Sequence, residues 1–436
     1  MTQLWRYRLL ISGYAVSSYG TFLNLVALNL FVYETTGSAL AMGIFMAVRL
    51  AAGFVAGLAA GSLLARVAVK PLMFWTNIAQ AAVMLLLVLA PEKLGTAVLF
   101  TVSAVVGACS TLFMVALRSS IPDLVGTERR SWANSLMVGA RSLAMVAGFA
   151  SAGVVVPLLG FTEAFLTDAA SFLLCAVTVL WLPAAMARRT QQAPAAARQT
   201  AGTTDAAPGR QRLPVALMSL TAAPMLGLMV GLRGIDALGS SSHNAALPVY
   251  SSALDPGDPA AFVSRFWLFW AIGNVLAQQV IQRYVTRSGR SVGAFGFGLG
   301  TVAMSSAFIL GFAGLPMAAT IVIAVAAGAA DGLTEVSYTS HLQTLPEALR
   351  GHAFGISATV ENLGFGVGTL LVAAALTMAS PFAVVAWSHG LAIAVAVVYL
   401  FRLAGRRRTE TERDGKEADA GQPHGGHRDG AEVSGG

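Results

Sequence analysis

The sequence predicts an all-α integral membrane protein: twelve transmembrane helices in two six-helix halves. Three observations predict it. Apolar residues make up 56% of the 436 residues and charged ones only 11%, well under the roughly 25% charged fraction of soluble domains, and mean hydropathy is +0.68. A polar segment, residues 188–212, separates two apolar blocks of similar size. Lysine and arginine gather on alternate connections between apolar runs, which is the pattern of a chain threaded back and forth through a bilayer.

The polar segment organises the domains. It holds five arginines and two prolines among Gln, Thr and Ala. Such a composition buries too little apolar surface to offset its ordering entropy, so it reads as a tether. The expected domains are an N-terminal six-helix half (1–187), a cytoplasmic linker (188–212), a C-terminal six-helix half (213–404) and a disordered cytoplasmic tail (405–436). The tail is charged and Gly-rich, and its His424 and His427 read as solvated rather than metal-bound.

A span needs about 20 mostly apolar residues, bounded by charge or by Pro and Gly. The six spans of the first half fall at 9–33, 39–65, 71–90, 95–117, 132–157 and 161–183. Those of the second half fall at 223–250, 261–284, 291–312, 316–344, 351–377 and 381–402. The basic N-terminal start opens a run that continues to Tyr33, which reads as a retained first span rather than a signal peptide. Residues 213–222 read as a short interfacial helix ahead of span 7. In both halves a Pro and an acid follow the fourth span, as Ile121-Pro122-Asp123 and Leu345-Pro346-Glu347, with the Pro expected to stop the helix. A six-plus-six chain with parallel repeats is a transporter architecture, its substrate path lying between the halves.

Charge placement sets the orientation. Arg6, Arg8, Arg66, Lys70, Arg129, Arg130, the linker arginines, Arg283, Arg287, Arg290, Arg350 and the basic residues from Arg402 onward share one side. Lys93 and Arg265 hold the other. The basic side is the cytoplasmic one, which puts both termini and the linker in the cytoplasm of a protein of the cell membrane. The net charge of +7 is therefore a topology signal, and a nucleic-acid partner is not expected. Cys109 and Cys175 lie inside spans, so neither a disulfide framework nor a metal site is indicated. No nucleophile elbow, P-loop or HExxH motif is present, which argues against an enzyme and against direct ATP drive.

Four stretches carry a resemblance to a known family. They are Tyr33–Ile44 (YETTGSALAMGI), Arg118–Leu136 (RSSIPDLVGTERRSWANSL), Leu166–Leu174 (LTDAASFLL) and Gly328–Ile356 (GAADGLTEVSYTSHLQTLPEALRGHAFGI). With these the chain resembles the major facilitator superfamily, nearest to its bacterial drug-efflux branch with macrolide and enterobactin exporters. The resemblance implies export of a small organic substrate by alternating access, with no cofactor, by a monomer in contact with lipid, and with protons as the candidate coupling ion. It also implies that spans 1, 4, 7 and 10 line the cavity and that spans 2, 5, 8 and 11 form the interface of the halves. Three departures bear on coupling. Ala65 stands for the acid of the loop after span 2, Phe149 stands for the proline of span 5, and no arginine occupies the middle of span 4.

Ionisable groups inside a span are expensive and mark candidate sites. For coupling or the substrate cavity these are Asp331, Arg233, Asp236, Glu335 and Asn24. Arg233 and Asp236 lie at i, i+3 and are expected to pair, either as mutual neutralisers or as a site where substrate or proton competes for one partner. Asp331 and Glu335 share one face of span 10 a turn apart, and glycines beside Asp331 leave room for a ligand or another backbone. For conformational gating the candidates are Arg49, Arg66, Asp123, Arg141 and Glu361; Arg49, Arg141 and Glu361 are expected along the interface as an ion pair made in one state and broken in the other. Asp168 and His389 are expected to make helix–helix hydrogen bonds. His243, Asn244 and Ser240–Ser242 are expected to line the upper cavity, and Phe266, Trp267 and Trp270 to act as packing or as interface anchors rather than as a drug cage. The rival readings are an importer of a small solute on the same fold and a non-transporting membrane sensor or scaffold.

Overall fold

In the computed structural model, residues 2–90, 95–126, 128–183, 224–288, 293–345 and 347–420 are described. They form twelve helices: α1 (Thr2–Thr36), α2 (Ala39–Arg66), α3 (Val69–Leu89), α4 (Gly95–Val125), α5 (Arg130–Leu159), α6 (Phe161–Leu180), α7 (Pro224–Leu254), α8 (Pro259–Ser288), α9 (Gly293–Gly311), α10 (Met317–Gln343), α11 (Glu347–Ala375) and α12 (Pro381–Ala420). Each matches a predicted span. The linker and the expected interfacial helix at 213–222 lie outside the described residues, as do His424 and His427.

Two boundaries differ from expectation. Helix α4 does not stop at Pro122 but continues to Val125, with Gly126 (φ 80°) ending it; a Pro so close to a helix end forfeits little of the ladder. Helix α12 runs on to Ala420, so the first part of the segment read as a disordered tail is helical.

Eleven of the helices are long and apolar enough to cross a membrane. The exception among the described residues is α7, whose apolar run is broken by Arg233, Asp236 and the polar stretch Ser240–Asn244. A helix that pays that solvation penalty must bury its polar face against protein or water rather than lipid.

The two halves share one packing plan. In the first, α1 packs on α5 and α6, α2 on α4, and α3 on α4 and α6. In the second, α7 packs on α11 and α12, α8 on α10, and α9 on α10 and α12. The closest approaches repeat too. A side chain on Gly107 of α4 would strike the Arg49 carbonyl on α2, and one on Gly328 of α10 would strike the Trp270 carbonyl on α8. Small residues at such crossings bring the helix axes together. Lys70, a topology charge in the sequence, also locks the first half by donating to the carbonyls of Leu180 and Leu182 at the end of α6 (2.7 and 2.8 Å).

Between the halves, α5 meets α8 and α2 meets α11. These contacts gather at the end of the bundle away from the chain termini. Phe149 stacks on Trp267 there (5.8 Å between ring centres), Gly153 faces Ser264, and Gly43 faces Ala373. Toward the terminal end, crevices run between the halves, one between α2 and α11 and one between α5 and α8.

Candidate functional site

Between the halves lies a cavity of about 690 Å³. Its two walls differ in charge. Among the described residues, the N-terminal wall presents Arg118 and Arg141 and no acid; the C-terminal wall presents Asp236, Asp331, Glu335 and Glu361 around the single cation Arg233. Apolar and aromatic side chains, Phe22, Phe149, Trp267 and Trp270 among them, cover the rest.

Arg233 is the hub. It is nearly sealed, with its side chain 11% exposed, and its Nη2 donates to Glu335 Oε2 at 2.6 Å and to Glu361 Oε1 at 3.0 Å. The expected partner, Asp236, is the more distant one: Oδ2 lies 3.6 Å from Nη1. The guanidinium also sits 5.3 Å from the ring centre of Tyr338, whose hydroxyl donates to Ser357 Oγ at 2.6 Å. Asp236 Oδ1 and Arg233 Nε are buried without a partner among the described residues. A sealed carboxylate oxygen with nothing to accept from costs roughly 1–3 kcal/mol, an expense that a ligand or a proton would remove.

One turn away along α10, Asp331 Oδ2 accepts from Asn274 Nδ2 at 2.8 Å, and Asn274 Oδ1 accepts from Gln278 Nε2 at 2.7 Å. The glycines beside it serve helix packing: Gly328 and Gly332 lie against the α8 backbone at Trp270 and Asn274. That close approach is what brings Asn274 within reach of the acid. Asn274 and Gln278 were missed in the sequence, although two amides at i, i+4 in an apolar span are the signal that would have found them.

Two placements correct the sequence reading. Glu361 does not face an arginine across the interface, because it is held by Arg233 in its own half. Gly364, one turn on, packs against the Gly234 backbone, and this α7–α11 contact carries Glu361 to Arg233. Asn24 does not line the cavity: it is 5% exposed, donates to Asp168 Oδ2 at 2.7 Å and lies 3.4 Å from Met84 Sδ. Trp267 stacks on Phe149 across the interface as an interface anchor would, and with Trp270 it also lines the cavity.

The other gating candidates are spread out. Arg49 lies beside Asp168 in charge terms and borders a crevice with Thr359 and Asn362 of α11. Arg141 stands over the Phe22 ring at 5.3 Å. Arg66 and Asp123 are exposed at the terminal ends of α2 and α4 and do not line the cavity. Asp168 and His389 make the helix–helix hydrogen bonds expected of them, to Asn24 and to His243 and Ser305 respectively.

Among known proteins, the family described as Major Facilitator Superfamily matches residues 10–369. The chain belongs to the Major Facilitator Superfamily. It is therefore a multi-pass membrane protein of a transporter superfamily. No curated protein matches the sequence. Solved structures agree on the fold. A crystal structure of the nucleoside transporter NupG, in a mutant form, shares 15% identity over 92% of this chain and 99% of its own, with a TM-score of 0.65. The peptide transporter POT in complex with sulfate shares 15% identity over 92% of this chain and 94% of its own, with a TM-score of 0.68. At such identities the likeness is one of fold.

Proposed function

We propose that this superfamily member is a secondary active transporter that exports a small amphipathic organic compound, of the drug, antibiotic or siderophore kind, by alternating access coupled to an ion, most simply the proton. The carrying observation is the cavity itself, with charged walls and an aromatic lining, roofed by interface contacts away from the termini and flanked by crevices toward the terminal end. The positive-inside placement of Lys and Arg makes the terminal end cytoplasmic, so the conformation is inward-facing and ready to load from within. Asp331, held only by an amide, is the acid best placed to exchange a proton. Asp236 is the one for which substrate competes, and Glu335 is the partner acid.

Gating follows from the two walls. When the terminal end closes, the Arg118 and Arg141 wall approaches Glu335 and Glu361, which exchange Arg233 for partners across the interface. A two-state element of this kind is biased by whatever binds between its faces.

The test has two parts. Reporter fusions after Arg188 and after Leu403 are expected to behave as cytoplasmic and one after Pro256 as external; an external linker would reverse the orientation. Cells with the protein are then expected to accumulate less of a transported compound than cells without it, with the difference abolished by a protonophore. Greater accumulation would establish an importer, and no difference for any compound would favour a sensor or scaffold.

A further inference from the structure

The closed end of the cavity carries a polar device that the charge cluster does not use. His243 of α7 and His389 of α12 are 5% and 0% exposed. Nδ1 of the first lies 3.0 Å from Nε2 of the second, and the ring planes are 11° apart. Nδ1 of His389 lies 3.1 Å from Ser305 Oγ on α9. Phe308 is face-on to His243, 3.5 Å between ring centres with 4° between planes, which fixes that ring. The remaining nitrogen, His243 Nε2, has no partner among the described residues, and His243 lines the cavity.

An imidazole–imidazole hydrogen bond needs a hydrogen on one nitrogen and a lone pair on the other. Two arrangements satisfy the chain. In one, Ser305 donates to His389 Nδ1, His389 Nε2–H donates to His243 Nδ1, and His243 Nε2–H is left as a donor. In the other, His389 Nδ1–H donates to Ser305, His243 Nδ1–H donates to His389 Nε2, and His243 Nε2 is left as an acceptor. Ser305, which can rotate its hydroxyl, accommodates both.

We infer that His243 contacts substrate, hydrogen-bonding a neutral hydroxyl, carbonyl or ether oxygen through Nε2, and that Ser305 and His389 let it donate or accept as that oxygen requires. The inference rests on the reading of the cavity as a substrate site and deepens it: the charged wall recognises charge, while the closed end recognises an uncharged oxygen on an aromatic or apolar body. Trp267, 5.8 Å from His243, supplies apolar surface beside it. The first half shows the contrast. Its junction joins the three corresponding helices, α1, α6 and α3, through Asn24, Asp168 and Met84, but Asn24 does not line the cavity. His389 and Ser305 are positioning residues, acting only through His243.

The test uses the full chain in lipid nanodiscs and three probes on one biphenyl body: 4-phenylphenol, which donates and accepts, 4-methoxybiphenyl, which only accepts, and 4-ethylbiphenyl, the hydrocarbon matched to it in size, which does neither. Tryptophan quenching is expected to show the two oxygenated probes binding about fivefold more tightly than the hydrocarbon, and His243→Phe to erase that gap. Nitrogen-15 spectra of labelled histidine read the relay. In Ser305→Ala, His389 Nδ1 loses its partner, and an orphaned N–H costs more than an idle lone pair. The pair is then expected to collapse to the one tautomer with hydrogen on His243 Nε2, with 4-methoxybiphenyl binding retained. An unchanged tautomer in Ser305→Ala would overturn the relay. Equal binding of all three probes would overturn the His243 contact alone, whereas failure of all three to bind would overturn it together with the cavity reading.

Discussion

The two halves share a plan and divide the chemistry. The main helix pairs of the first half, α1–α5, α1–α6, α2–α4, α3–α4 and α3–α6, have their counterparts in the second, down to the glycine crossings at Gly107 and Gly328. Yet the second half carries four acids and an arginine on the cavity wall, and the first carries two arginines. Helix α1 is apolar enough to span a membrane; its counterpart α7 is not. Packing depends on shape, which small residues at crossings preserve, so a repeated fold tolerates different side chains on its inner face. What the difference teaches is where the solvation cost falls. Buried charge is tolerated where other charge offsets it; the first half does this for Asp168 away from the cavity, and the second half does it on the cavity wall.

The sharpest way to break the comparison is to remove Arg233. Arg233→Gln leaves Asp236, Glu335 and Glu361 facing one another, and is expected to cost about 3 kcal/mol, the low end for a broken buried pair because Glu335 and Glu361 are roughly half exposed. Arg141→Gln in the first half, where the side chain is exposed, should leave stability nearly unchanged. Thermal unfolding of the detergent-solubilised protein measures both; equal losses would mean that the hub carries no special burden. Neutralising Asp236 alongside Arg233 should restore only part of the stability, since two acids remain.

Next comes function without stability. Asp331→Asn keeps shape and an acceptor oxygen for Asn274 while removing the charge. It is expected to insert normally and to lose concentrative transport at least tenfold, the scale of a coupling free energy of 1.4 kcal/mol. Full concentrative transport by this variant would remove Asp331 from coupling and make Glu335, one turn along, the next acid to test.

Much of this architecture was legible in the sequence, because span length and apolar content are local properties fixed by the bilayer. The intrahelical neighbours Arg233–Asp236 and Asp331–Glu335 were legible for the same reason, through helix periodicity. Partners across helices were not. Glu361 was assigned to the interface from its span number alone, and only the α7–α11 crossing at Gly234 and Gly364 turns it to Arg233. Asn24 read as cavity lining because nothing local says that its amide meets Asp168, far away in the chain. Pro122 was read as a stop signal on local grounds, and the helix simply absorbs it.

A third prediction concerns motion between the halves. Spin labels at Ser135 on α5 and Gln279 on α8 flank the crevice at the terminal end. Pulsed EPR is expected to show a second, shorter distance population that grows when transported substrate or a pH gradient is supplied. Labels at Trp75 on α3 and Leu143 on α5, both exposed and both within the first half, should keep one distance throughout. A shift in the second pair would mean that each half deforms and that the rigid-body comparison is wrong.

The smallest expected effect is the most discriminating for the repeat. Asn24 and His243 occupy matching junctions, but only His243 reaches the cavity. Asn24→Ala removes the amide that donates to Asp168. Asp168 keeps its contact with Ser171 Oγ at 3.4 Å and the electrostatic attraction of Arg49, so the loss is cushioned. Hydrogen bonds between membrane helices average roughly 0.6 kcal/mol, and the sealed carboxylate adds some desolvation, so about 1 kcal/mol of stability is expected to go. Transport per folded molecule should be unchanged, because no cavity surface has altered. A transport defect in Asn24→Ala that exceeds its loss of folded protein would show that the first junction also takes part in the cycle, and the division of chemistry between the halves would fail at the point where their geometry agrees.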